Sequence, residues 1–219
     1  MKHFIFCLLG ASSSGKDKLY RLLLQDFSLP LRRVVLCTTR PKRSGEEEGE
    51  QYYFRTERQY EAQRQEGRII EERSYATACG LWRYYTADDG QIDLSVSSSL
   101  VIATPEALAG FRRYFGADRV VPLYIHVEDG ERLARALRRE RKQEKPQYAE
   151  MCRRFLSDAE DFAPARLEEA GIGREDTFEN PDGSLMECKE ALAVAIREKL
   201  DLPAAAGSAG SAAHGQESD

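Results

Sequence analysis

Gly10, Gly15 and Lys16 stand in the spacing GxxxxGK, after an apolar run that ends at Leu9 and before a helical pattern that begins near Leu19. In that context the backbone N–H groups of residues 10–16 converge on phosphate oxygens, the helix N-terminus adds partial positive charge, and Lys16 reaches the outer phosphates. The candidate phosphate-binding residues are Gly10, Ala11, Ser12, Ser13, Ser14, Gly15, Lys16 and Asp17. Asp17 occupies the place where such loops carry Ser or Thr for a metal ion. It offers a charged oxygen at nearly the same distance from the backbone, and Mg²⁺ favours hard oxygen ligands. Beside a polyphosphate a carboxylate is tolerated chiefly where a cation sits between them, so Asp17 is the candidate metal ligand and Mg²⁺ the expected cofactor. A drifted loop that binds nucleotide without chemistry is the alternative. Arg40 and Arg43 form a second anion site. Two permanently charged guanidinium groups, each able to bond bidentately, suit a phosphate monoester.

These groups need a scaffold of strands ending in loops. Four apolar, β-branched runs read as buried strands, at residues 3–9, 34–39, 99–104 and 120–127, with a short fifth at residues 177–180. Helical spacing appears at Leu19, Leu22 and Leu23, at Leu108, Phe111 and Phe115, at Tyr148, Met151, Cys152, Phe155 and Phe162, and at Leu185, Cys188, Leu192 and Ile196. Alternating strands and helices imply an α/β fold with a parallel sheet covered on both faces. Residues 52–86 break the alternation with strand-like pieces around a polar helix, and read as an inserted, mostly antiparallel subdomain. A tail over residues 203–219 lacks large apolar residues and is expected to be disordered.

Composition narrows the function classes. A chain of 219 residues with 42% hydrophobic content supports one compact domain, and a net charge of −5 argues against nucleic acid as a partner. Small anionic ligands stay open. Cys7, Cys37, Cys79, Cys152 and Cys188 show no metal-binding spacing, which fits reduced thiols and a cytoplasmic location. No signal peptide or membrane span is expected.

The stretch CTTRPKRSGEEEGEQYYF resembles the signature of the guanylate kinase family, through Thr38, Thr39, Arg40, Arg43, Gly45, Glu46, Gly49, Tyr52 and Phe54. The resemblance implies a P-loop three-layer α/β/α fold with a five-stranded parallel sheet, a small inserted antiparallel GMP-binding subdomain and a helical lid. It also implies phosphorylation of GMP by ATP with Mg²⁺, with small-molecule nucleotides as partners, no nucleic acid or membrane, and a monomer or homodimer. On this reading residues 1–202 form the domain, residues 52–86 the inserted monophosphate-binding subdomain and residues 131–160 the lid region.

By the same resemblance the GMP contacts are Thr39, Arg40, Arg43, Tyr52, Glu71, Tyr85 and Thr86. Glu71 would read the guanine ring, since a carboxylate can accept from two adjacent ring N–H donors. Tyr85 and Thr86 come from RYYT, with Cys79-Gly80 as a rival alignment. The lid arginines would be Arg138, Arg141, Arg153 and Arg154, joining Lys16 as catalytic candidates, and Asn180 would touch adenine. Two departures stand out: Leu36 replaces an expected serine, and residues 102–105 (Ile, Ala, Thr, Pro) carry no carboxylate where the family has an Asp-x-Asp-like sequence. That loss leaves open a kinase of the same fold acting on another acceptor, such as a ribose bisphosphate, and a non-catalytic binding module.

Overall fold

A computed structural model describes residues 2–43, 45–77 and 80–203. The central sheet has five strands in the order β2-β7-β1-β8-β9, and every neighbouring pair is parallel. The strands are β1 (Ile5–Leu9), β2 (Leu31–Arg33), β7 (Ser98–Ile102), β8 (Val120–His126) and β9 (Thr177–Glu179). Strand β1 lies at the centre and is buried on both faces, as a parallel strand between two helical layers must be.

Side-chain alternation on β1 sorts the core into two halves. Phe6 and Leu8 pack with Leu19 and Leu23 of α1 (Lys16–Leu24) and with Leu192 and Ile196 of α7 (Leu185–Lys199). Ile5, Cys7 and Leu9 pack on the other side with Leu108 and Phe111 of α3 (Pro105–Phe115). Each face buries several large aliphatic or aromatic side chains, at about 1.5–3 kcal/mol apiece relative to exposure. Helix α3 starts cleanly because Thr104 caps it, its hydroxyl accepting from the Ala107 N–H, and Pro105 follows at the first helical position.

A second sheet has the order β4-β3-β6-β5, with β3 (Cys37–Thr38), β4 (Tyr53–Phe54), β5 (Ile69–Thr77) and β6 (Gly80–Ala87). The long pair β5–β6 is antiparallel, and α2 (Glu57–Gln65), started by a capping box at Thr56, covers one face through Tyr60. The run expected as one strand over residues 34–39 is divided. The parallel sheet takes β2 just before it, while Cys37 and Thr38 pair with β4 and β6 in the small sheet. Its hydrophobicity reflects burial between the two sheets, which strand pattern alone does not distinguish from one continuous strand.

Helices α4 (Asp129–Glu140) and α5 (Tyr148–Asp161) form a hairpin beside the cleft, and α6 (Pro164–Glu169) leads back to β9. Helix α5 buries none of its residues. It rests on the body through Phe155 under the Arg132 guanidinium and through Phe162, the residue after its end, stacked on Tyr124 at 5.7 Å. Among the described residues no helix is long and apolar enough to cross a membrane. Cys7, Cys37 and Cys188 are buried free thiols and Cys152 is exposed. Cys79 and the tail from residue 204 lie outside the described residues.

Candidate active site

The glycine loop joins β1 to α1 as its spacing requires. Gly15, with φ of 90°, turns the chain into the helix in a conformation that L side chains avoid. A Cβ on Gly15 would also stand 2.6 Å from the Asn180 amide nitrogen. That amide donates to the Ser14 carbonyl at 2.7 Å, and Asn180 is 2% exposed. Asn180, expected as an adenine contact, is buried and braces the loop, one of its amide N–H groups donating to loop backbone.

Three more side chains hold the loop from outside it. Arg132 and Arg135 of α4 donate to the carbonyls of Ser12 and Ser13 at 3.3 and 3.4 Å. Asp158 of α5 accepts from the Ser12 N–H at 2.9 Å. Sequence reading did not single out these three, although Arg132 and Arg135 sit three residues apart on one helix face, the spacing of side chains that act together. The Ser13 and Ser14 hydroxyls are buried at the loop without hydrogen-bond partners. Unpaired buried hydroxyls are costly, and phosphate oxygens are groups that would satisfy them.

An open cleft of about 1820 Å³ runs from this loop to the small sheet. Gly10, Ser12, Lys16, Asp17, Arg40, Arg43, Tyr52, Arg153 and Arg154 all line it. The side chains of Lys16 and Arg43 make no direct hydrogen bond or ion pair to described residues. Arg40 is buried and forked onto Glu46, at 2.7 and 2.5 Å, beneath the Tyr52 ring at 5.1 Å. Arg40's hydrogen bonds hold the Glu46 carboxyl at about 2, so the pair stays charged at neutral pH. Burial raises the Tyr52 phenol, Tyr84 and Asp17 add to that rise, and Arg40 and Arg73 oppose it. Tyr52 thus lies within the field of both the loop's carboxylate and the arginines.

The remaining expected residues divide. Thr39 accepts from the Arg83 N–H and holds β6 rather than facing the cleft. Tyr85 is fully buried, donating to Gln63 at 2.7 Å and packed on Tyr60. It belongs to the small sheet's core, and period-two alternation puts Tyr84, not Tyr85, on the cleft. Thr86 and Glu71 are buried together, the threonine donating at 2.7 Å, and burial raises the Glu71 carboxyl. Arg138 is exposed beside Asp182, and Arg141 is exposed at the end of α4. Neither lines the cleft, because α4 turns Arg132 and Arg135 inward instead. Arg153 and Arg154 line it while paired with Glu150.

Within the loop and the first turn of α1, Asp17 is the carboxylate that could hold magnesium, while Asp158 of α5 also lines the cleft and accepts from the Ser12 N–H. Asp17 is exposed in the first turn of α1 and lines the cleft, whereas Ile102, Ala103 and Thr104 offer no acid. Among the described residues no cluster of three or more His, Cys, Asp or Glu side chains gathers. Mg²⁺ ordinarily takes one or two carboxylates and completes its shell with substrate phosphates and water, so Asp17 fits.

Comparison with known proteins agrees with this geometry. Residues 2–80 match the family model for guanylate kinase. The chain is 42% identical over 81 residues to the guanylate kinase of Granulibacter bethesdensis, covering 34% of this chain and 38% of that protein. Against the guanylate kinase of Symbiobacterium thermophilum it is 34% identical over 92 residues, covering 42% and 41%. The chain thus spans about two fifths of the length of these curated relatives. The crystal structure of guanylate kinase from Anaplasma phagocytophilum superposes with a TM-score of 0.57 at 17% identity, covering 90% of this chain and 86% of that one, which establishes the fold. The first third of the chain is thus similar in sequence to guanylate kinases, and the fold throughout is similar to that of a guanylate kinase.

Proposed function

We propose that this protein is a nucleoside monophosphate kinase that transfers the γ-phosphate of ATP to the phosphate of GMP or a closely similar acceptor. The observation that supports the reading is one continuous cleft lined both by the Lys16 loop and by Arg40, Arg43 and Tyr52. Transfer between two phosphates needs positioning and charge neutralisation more than covalent help, and the acceptor's own oxygen is the nucleophile. Lys16 steadies the transferred phosphoryl. Arg43 and Tyr52 hold the acceptor phosphate, with Arg40 kept in place by Glu46. Arg153 and Arg154, on the helix above, neutralise developing charge and exclude water. Bound with ATP, Mg²⁺ would supply charge neutralisation across the donor phosphates, held on the protein side by Asp17.

On this reading the small sheet with α2 is the acceptor subdomain, extending the expected residues 52–86 back to β3, and α4 and α5 are the lid. Residues 1–202 act as one unit. A second acceptor class, a ribose bisphosphate, is supported by one observation: residues 102–104, which line the cleft, carry no carboxylate to bind a guanine ring. A coupled ADP-release assay with ATP, Mg²⁺ and a panel of monophosphates and sugar phosphates tests the proposal. Acceptor-dependent ADP release is expected, and release that is equal with and without every acceptor would contradict it.

A further inference from the structure

Strand β5 alternates, so Glu71, Arg73 and Tyr75 share one face, and their register partners on β6 are Thr86, Tyr84 and Trp82. Of these six, Arg73, Tyr75, Trp82 and Tyr84 line the cleft and Glu71 does not. Glu71 lies beneath it, pressed so closely on α3 that a Cβ added at Gly110 would come within 2.5 Å of the Glu71 Cβ. One Glu71 oxygen is taken by Thr86, and the other faces the Arg73 Nε at 3.4 Å. The Arg73 Nη1 reaches the Thr104 hydroxyl at 3.4 Å, at the end of β7 where a carboxylate is missing. The aromatic wall runs from Tyr52 to Tyr84 at 5.6 Å and on to Tyr75 at 5.7 Å. It therefore connects the Arg40 end of the acceptor pocket to Arg73. Glu106 and Asp161 lie close enough to this corner to act on Tyr75 against Arg73, so the corner carries acidic as well as basic groups.

We infer that Arg73 is a specificity-determining residue, presenting N–H donors to an acceptor whose end remote from the transferred phosphate carries oxygen atoms, and so disfavouring guanine. The inference rests on the phosphoryl-transfer reading for the identity of the pocket. Guanine offers N–H donors on the edge that a carboxylate would read. Here such an edge meets a guanidinium, donor against donor, while the carboxylate lies beneath the cleft, one oxygen accepting from Thr86 and the other facing Arg73 without a hydrogen bond. Donors left unpaired in a dry site are penalised more than a good pair is rewarded. Oxygen acceptors could come from a base carbonyl, as in xanthosine monophosphate, or from a second phosphate on a bare sugar.

Trp82, the single tryptophan, lines the cleft beside Tyr75 and reports binding by its fluorescence. Titrations with GMP, xanthosine monophosphate and a ribose bisphosphate should show at least one oxygen-bearing ligand half-saturating at about one tenth the GMP concentration. Which of the two does so identifies the source of the oxygens. Arg73→Met should reduce that preference to within about threefold. Should Arg73→Met fail to fold with Glu71 unpaired, the double variant Glu71→Gln with Arg73→Met leaves no lone buried charge and should show the same loss. A preference below threefold in the parent, or one that survives in the variant, overturns the role of Arg73. ADP is assayed in the same samples. Its absence with every acceptor defeats phosphoryl transfer, while the fluorescence ranking still decides on Arg73.

Discussion

Asp17 and Glu46 are two carboxylates of this region in opposite circumstances. Asp17 projects into the cleft beside Lys16, free for a ligand. Glu46 is committed to Arg40. Asp17→Asn keeps the shape of the first turn and removes the charge, so the Mg²⁺ concentration for half-maximal rate should rise about tenfold or more. An unchanged Mg²⁺ dependence at normal kcat would assign the metal elsewhere. The Glu46 carboxyl is held at about 2, below its ordinary 4.5, chiefly by the Arg40 hydrogen bonds. A depressed carboxyl stabilises the fold fully above its ordinary value and loses that contribution as pH falls toward the depressed one. The denaturation midpoint of Glu46→Gln should therefore lie below that of the parent by a constant margin above about pH 5, and the margin should close as pH falls below about 4. A margin independent of pH would show that the ion pair is not its source.

At the scale of elements, alternation on β6 decides which tyrosine faces the cleft. Tyr85→Phe removes a buried hydrogen bond to Gln63 and should cost about 1 kcal/mol of stability with acceptor KM unchanged. Tyr84→Phe should leave stability nearly unchanged and raise acceptor KM. The opposite pattern would mean that the strand register in solution differs by one residue. The sequence motif RYYT pointed to the correct strand but to the wrong face, since two adjacent tyrosines look equivalent until the pairing partner is known. The alternation of Glu71, Arg73 and Tyr75 was readable in advance as one face of a strand. What could not be read was its depth, because the contact with Gly110 joins residues far apart in the chain.

For the whole molecule, the strand–loop–helix start, the parallel sheet and the inserted small sheet followed from hydrophobic runs and their spacing. The passage of the chain from β2 in one sheet to β3 in the other did not, because burial between sheets and burial within one give the same apolar pattern. Lys16 and the arginine pair were legible because glycine spacing and clustered guanidinium groups leave a local signature. The braces Asn180, Arg132, Arg135 and Asp158 lie more than a hundred residues from the loop they hold, so only the fold brings them together. What the assembled molecule is claimed to do is move a phosphoryl group across its cleft. Phosphorus NMR of ATP, Mg²⁺ and the best acceptor follows that transfer directly. The parent should convert the acceptor's monoester signal to a diphosphate in step with ADP, and Lys16→Met, still folded by circular dichroism, should slow this at least about a hundredfold. ADP with inorganic phosphate and no diphosphate, or a Lys16→Met rate within twofold of the parent, would contradict the account.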